Sequence, residues 1–331
     1  MVRIIFFWVL YLSALSIHAQ VRQAIDFNAD WHFQLGDDSL AREKNYDDSR
    51  WRKLQLPHDW SIESDFIKDA PATNQGGSLP GGIGWYRKTF VLPSGAKGQQ
   101  VQIAFDGVYQ QSEVWVNGHY LGKRPNGYMP FQYIIDEYLL PAPQKNTIAV
   151  RVDNSKQPNS RWYTGSGIYR DVTLHLSNKV AFVPYEIFIS TKSLMGNKVV
   201  LDLRTVVFNR WVDTALDLQM STEILDQKQK QLYHRQAMKK VNRPGQWNNS
   251  LTDTLQGIMP WSLERPYLYT LRLVLYQRGK KIDEYKIKFG FREAQFHKEK
   301  GFVLNGRPML LKGVCMHHDL GALGAAFNKV A

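Results

Sequence analysis

Glu113-Val114-Trp115-Val116-Asn117-Gly118 decides the fold class. Four residues that suit a pleated strand run straight into Asn-Gly, the pair preferred in two-residue hairpins because both positions tolerate positive φ. The same grammar repeats outward in both directions. Upstream stand Trp85-Tyr86-Arg87-Lys88-Thr89-Phe90-Val91-Leu92 and Val101-Gln102-Ile103-Ala104-Phe105; downstream stand Thr147-Ile148-Ala149-Val150-Arg151-Val152 and Asp171-Val172-Thr173-Leu174-His175-Leu176. Short runs of Val, Ile, Tyr and Phe between turn residues, with no long amphipathic helix pattern before the C-terminus, predict a β-sandwich. Residues 20–178 form this first unit.

A second series starts at Tyr185-Glu186-Ile187-Phe188-Ile189 and passes through Val199-Val200-Leu201-Asp202-Leu203. It continues in Tyr269-Thr270-Leu271-Arg272-Leu273-Val274-Leu275-Tyr276 and closes with a hairpin at Arg278-Gly279-Lys280 that returns through Ile282 to Phe291. Residues 179–293 thus predict a smaller sandwich of Ig-like size, with the boundary near Val180 to Pro184. Beyond it the character changes. Phe302-Val303-Leu304 turns at Asn305-Gly306, and Met309-Leu310-Leu311-Lys312-Gly313-Val314-Cys315-Met316 is a nearly continuous apolar run, the pattern of a strand covered on both faces. Residues 294–331 read as the start of a third, β/α domain, with Gly321 to Ala331 approaching a helix.

The N-terminus reads as an export signal: Arg3 precedes the apolar run Ile4 to Leu12, and Ala19 offers a small residue for cleavage, so the mature chain is expected to begin near Gln20. The run is short for a bilayer and is interrupted by Ser13, Ser16 and His18, which argues against a membrane anchor. Cys315 is the single cysteine, so no internal disulfide is available and stability must come from buried cores. A formal charge of +12 raises nucleic acid as a partner. Basic residues are nevertheless scattered among acidic ones, and the densest group, Lys228, Lys230, Arg235, Lys239, Lys240 and Arg243, looks like a solvated edge hairpin. A nucleic-acid binder therefore has no motif behind it. No residue pattern names a cofactor, and His58 with Asp59 lacks the spacing of a metal-ligand set.

Three segments, taken in order, resemble glycoside hydrolase family 2, especially its β-galactosidases: Leu56-Pro57-His58-Asp59-Trp60, then Leu79-Pro80-Gly81-Gly82-Ile83-Gly84-Trp85-Tyr86-Arg87, then Gly165-Ser166-Gly167-Ile168-Tyr169-Arg170-Asp171-Val172. Asp106-Gly107-Val108 and the junction Phe302 to Asp319, with Asn305-Gly306-Arg307-Pro308 and Lys312-Gly313-Val314, extend the match. The resemblance implies a jelly-roll sugar-binding domain, an Ig-like sandwich, and then a catalytic TIM barrel whose first strand ends near His317. It also implies retaining hydrolysis of β-glycosides by two glutamates about 5–5.5 Å apart, both on later barrel strands. The chain is then the N-terminal part of an exo-acting enzyme, truncated at the start of the barrel and inactive alone, with a β-linked galactoside or related carbohydrate as partner.

By the same resemblance, His317 contacts the glycone, while Asn74 and Arg161 sit on loops sent from the first domain toward the barrel mouth. His318 and Asp319 depart from the pattern of some members and are placed behind the site. Arg161 stands where some relatives carry an acidic residue. Read from residue type alone, Arg170 and Asp171 form a paired charge that pins a loop, and Trp115 belongs to the core. Glu264, Glu293 and Glu299 lack the paired spacing of catalytic carboxylates. β-Glucuronidase and β-mannosidase remain open within the family, as does a finished, non-catalytic carbohydrate-binding or scaffold protein.

Overall fold

The computed structural model describes residues 22–210, 215–242, 244–317 and 319–331. The expected export signal over residues 1–19 lies outside these residues, as do Arg243 and His318. Among the described residues the regular elements are strands and short 3₁₀ turns, and no helix is long and apolar enough to cross a membrane.

The first sandwich stacks a six-stranded sheet on a four-stranded one. The larger runs in the order Arg52–Leu54, Trp31–Leu35, Gly82–Val91, Lys145–Asn154, Ser112–Val116, His119–Arg124; the smaller runs Arg22–Asp26, Val172–Ser177, Gln100–Phe105, Phe131–Ile134. Alternation along Lys145–Asn154 shows why two layers form: Ile148, Val150 and Val152 enter the core between the sheets, beside Trp31, Ile103, Phe105 and Leu174. Ala149 faces the other way. There it joins Trp51, Trp85 and Trp115 in a second apolar cluster on the outer face, where the Trp85 and Trp115 rings stack 5.3 Å apart. Trp115 is thus buried, under the cover of the chain around Ala41 and Trp51 rather than between the sheets. The hairpin at Asn117 and Gly118 has φ of 50° and 85°, as Asn-Gly demands. Gly82–Val91 is interior, pairing with Trp31–Leu35 on one side and Lys145–Asn154 on the other.

The second sandwich pairs Lys198–Asn209 with Val180–Phe182, Phe188–Met195 and Gly245–Leu255 in one sheet. The other sheet runs Gln231–Val241, Leu216–Leu225, Tyr269–Gln277, Lys280–Phe289. Leu201, Leu203, Trp247, Leu271, Leu273, Leu275 and Phe291 fill the space between them. The basic strand Gln231–Val241 is an edge strand and mostly exposed, in keeping with its charges. The strand expected from Tyr185 starts later, since Pro184–Glu186 is a 3₁₀ turn and the strand runs Phe188–Met195, while Val180–Phe182 precedes it in the same sheet. Among the described residues, Lys179 and Asp136 pair across the two sandwiches at 4.0 Å, and a second, closer ion pair also joins them. Arg22, in the first strand of the jelly-roll-like unit, meets buried Asp283 at 2.7 and 3.1 Å and donates to the Phe182 carbonyl at 2.8 Å.

Ala294–His297, Gly301–Leu304 and Arg307–Pro308 make a small third sheet. Its ladder ends with the Met309 N–H donating to the Phe302 carbonyl. The apolar run that follows, expected as a covered strand, has no ladder among the described residues. Leu310 is 79% exposed and Val314 90%. An apolar run is only half of a strand; the other half is a neighbour for its N–H and C=O groups, and no described strand lies beside this one. The segment read as approaching a helix, Gly321 to Ala331, holds a 3₁₀ turn at Gly321–Leu323 and then irregular chain that returns to the first sandwich. Gly321 and Gly324 at φ of 59° and 55° interrupt any helical path.

Candidate functional site

The Pro57-His58-Asp59-Trp60 segment lies at one end of the first sandwich and is held by buried polar contacts. Asp59 is 2% exposed. Its Oδ1 accepts from the Ser61 and Ser166 N–H groups at 3.0 and 2.8 Å; its Oδ2 accepts from the Tyr163 hydroxyl and from the Ala325 N–H at 2.8 Å. One carboxylate therefore fixes its own turn, the loop after Lys145–Asn154, and the returning C-terminal segment. Such charge-assisted bonds are what make burial of a carboxylate tolerable. A Cβ on Gly165 or Gly324 would come within 2.5 or 2.4 Å of Asp59 Oδ2, so both segments approach it only as glycine. Burial and the adjacent Asp59 carboxylate push the Tyr163 phenol well above its ordinary range, so it remains a donor.

His58 is a second, separate hub. Its Nδ1 lies 2.7 Å from the Tyr86 hydroxyl, and its Nε2 faces Arg52 at 2.9 Å and Glu63 at 3.1 Å. Arg52 only donates, so a neutral His58 accepts from it at Nε2. Burial lowers the His58 pKa, with Glu63 pulling against that trend. No group of three or more His, Cys, Asp or Glu side chains with metal-ligand placement occurs among the described residues. The hub secures the segment; it presents no open face to a substrate.

An open face lies next to it. Tyr128, Trp162, Tyr169, Arg170, Cys315, Met316 and His317 line a cleft of about 520 Å³. Trp162 Nε1 donates to the Tyr128 hydroxyl at 3.2 Å, and the His317 ring centroid is 6.0 Å from that of Trp162. Tyr169 anchors the floor by donating to the Gly127 carbonyl at 2.9 Å. Of the three site residues read from sequence, His317 is in this cleft, exposed, at the end of the apolar run. Arg161 is exposed beside Trp162, on the same loop. Asn74 opens a 3₁₀ turn, Asn74–Gly76, and is exposed. Its loop packs against the Arg161 loop, with Ala72 and Gly76 facing Ser160, Trp162 and Tyr163 across a narrow seam. Asn74 does not line the cleft with His317. Asp319, expected behind the site, is exposed and carries the Gly321 N–H on its Oδ1.

Arg170 and Asp171 do not pair with each other in the structure. The Arg170 guanidinium sits 5.5 Å over the Phe327 ring and 5.9 Å over Tyr169, while Asp171 accepts from Asn28 at 3.0 Å and binds Lys329. Successive residues entering a strand point to opposite sides, so adjacent opposite charges find different partners. Both still hold the loop, with the C-terminal segment as the partner. Trp162 and Tyr128 were not singled out as site residues from sequence; the available signal was an aromatic pair, Trp162-Tyr163, in a stretch without strand alternation.

Two family models match in succession: glycosyl hydrolases family 2, sugar binding domain, over residues 26–178, and glycosyl hydrolases family 2 over residues 186–292. The chain is 41% identical over 307 residues to the beta-galactosidase BoGH2A of Bacteroides ovatus, covering 93% of this chain and 36% of that protein. A solved family 2 member from Bacteroides cellulosilyticus superposes with a TM-score of 0.86 at 34% identity, over 92% of this chain and 40% of that one. A beta-glucuronidase of Bacteroides uniformis gives 0.84 at 28% identity, over 93% and 37%. The chain spans between a third and two fifths of the length of these relatives. With both family models consecutive along it and the two sandwiches folded accordingly, the chain belongs to glycosyl hydrolase family 2.

Proposed function

We propose that this chain is the exported N-terminal portion of an exo-acting, retaining β-glycosidase of the β-galactosidase type, supplying the sugar-facing wall on which a catalytic barrel completes the site. The succession of the two family modules, on a chain that spans 36% of a beta-galactosidase relative, carries this reading. Retaining hydrolysis needs two carboxylates about 5–5.5 Å apart across the scissile bond. Glu264, Glu293 and Glu299 are absent from the cleft lining, so in this reading the chain contributes binding surface and the reacting pair comes from a barrel. Arg170 in that lining favours β-glucuronidase as a second reading, because its guanidinium suits a uronate. Export rests on the Arg3-led apolar run, and N-terminal sequencing of the mature protein should start at Gln20.

The test is hydrolysis of p-nitrophenyl β-galactopyranoside and β-glucuronide by the purified 331-residue chain. The expected result is no release above buffer with either substrate. Turnover that disappears when Glu264, Glu293 or Glu299 is changed to Gln would overturn the division of labour.

A further inference from the structure

We propose that Trp162, with its indole held by Tyr128, is a stacking platform for the apolar face of a pyranose ring in the cleft of the first sandwich. The choice of ligand class rests on the glycosidase reading; the platform itself rests on geometry.

Trp162 leaves 38% of its surface in solvent and Tyr128 leaves 43%, although both stand in a sandwich that buries Trp31, Trp60, Trp85 and Trp115 almost completely. A loop tryptophan with no structural task would be free to rotate, yet Trp162 is fixed from two sides. Its Nε1 is bonded to the Tyr128 hydroxyl, and the next residue, Tyr163, is tied to buried Asp59. Ser160 Oγ further accepts from the Trp162 N–H at 3.1 Å and lies 2.7 Å from its carbonyl, closing the turn that presents the ring. Tyr128 in turn packs edge-on to buried Tyr109 at 5.4 Å.

The surroundings suit a sugar better than an apolar ligand. A hexopyranose has one face of C–H groups and a rim of hydroxyls. Trp162 offers the flat apolar surface, and Arg170 and His317 on the same lining offer the donors that a hydroxyl rim or a carboxylate needs. The cleft, at about 520 Å³, has room for one or two sugar rings. Among the described residues the lining holds no Asp or Glu, so none of them repels a uronate.

Saturation-transfer NMR on the full chain, titrated separately with methyl β-galactopyranoside and methyl β-glucuronide, tests the platform. Ring C–H protons of at least one glycoside should receive saturation, and the better ligand reports whether the rim prefers neutral sugar or uronate. Trp162→Ala should weaken that binding at least fivefold, Trp162→Phe should restore part of it, and Tyr128→Phe should cost about twofold by releasing the indole. Unchanged far-ultraviolet circular dichroism and melting identify the folded variants, and Trp162→Phe decides the matter if Trp162→Ala misfolds. Binding that is indifferent to both Trp162 substitutions, or no transfer to either glycoside, would overturn the platform while leaving the glycosidase reading in place. Hydrolysis by the chain itself would overturn that reading and leave the platform standing.

Discussion

The two sandwiches solve the same packing problem with different interiors. The first buries His58, Asp59, Arg87, Lys88, Asn154 and Ser166 alongside its apolar core; the second buries few such groups, chiefly Asp283, Asn209 and a set of Thr and Ser residues. Its other charges stay nearer the surface, as where Arg272 bridges Glu223 and Glu284, each at 2.9 Å. Buried polar networks add little net stability, but they fix geometry, since every member must keep its partners. The first sandwich therefore holds loops at one end in a defined shape. The second rests on its apolar core.

The largest effect that would break this contrast is at Asp59. Asp59→Ala strands the Ser61, Ser166 and Ala325 N–H groups and the Tyr163 hydroxyl. The expected cost is about 3–5 kcal/mol. Urea unfolding should show it as loss of the first sandwich with the second transition unmoved. An equal loss in both transitions would mean that the sandwiches unfold as one unit.

The pH response sharpens the same contrast. Burial lowers the pKa of both His58 and His175 in the first sandwich. Below about 6.5 the unfolded chain binds protons that the folded one refuses, so stability falls with pH until the folded imidazoles also protonate. In the second sandwich burial would raise Glu284, but bonds from Lys281 and Arg272 hold it at about 2. Its contribution is present above the ordinary glutamate range and is lost only as pH falls from there toward 2. Calorimetry between pH 7 and pH 5 should lower the first transition alone, and His58→Gln should remove part of the slope. The smallest effect belongs to the edge strand: Lys239→Gln with Lys240→Gln should change stability by less than about 0.5 kcal/mol, because both side chains are exposed.

What was legible in the sequence was local. Asn117-Gly118 marked its hairpin because turn chemistry acts over two residues, and the charges of Gln231–Val241 marked an edge. The Asp59 hub was not legible as a hub, since Ser166 lies 107 residues away and Ala325 266 residues away. The Met309 to Met316 run shows the converse: its apolar character was plain, but pairing is a property of two strands, and its neighbour is not among the described residues. Of the candidate site, His317, named by resemblance, lines the cleft. Trp162 escaped because an indole looks alike in sequence whether its surroundings bury it or present it.

The most direct test is to read the coding frame past the codon for Ala331 and express what it encodes. Repeated strand-helix units carrying two glutamates at strand ends are expected, with hydrolysis of a β-galactoside or β-glucuronide by the longer protein and none by the 331-residue chain. An immediate stop codon, with sugar binding but no hydrolysis from the native protein, would contradict it and leave a carbohydrate-binding role.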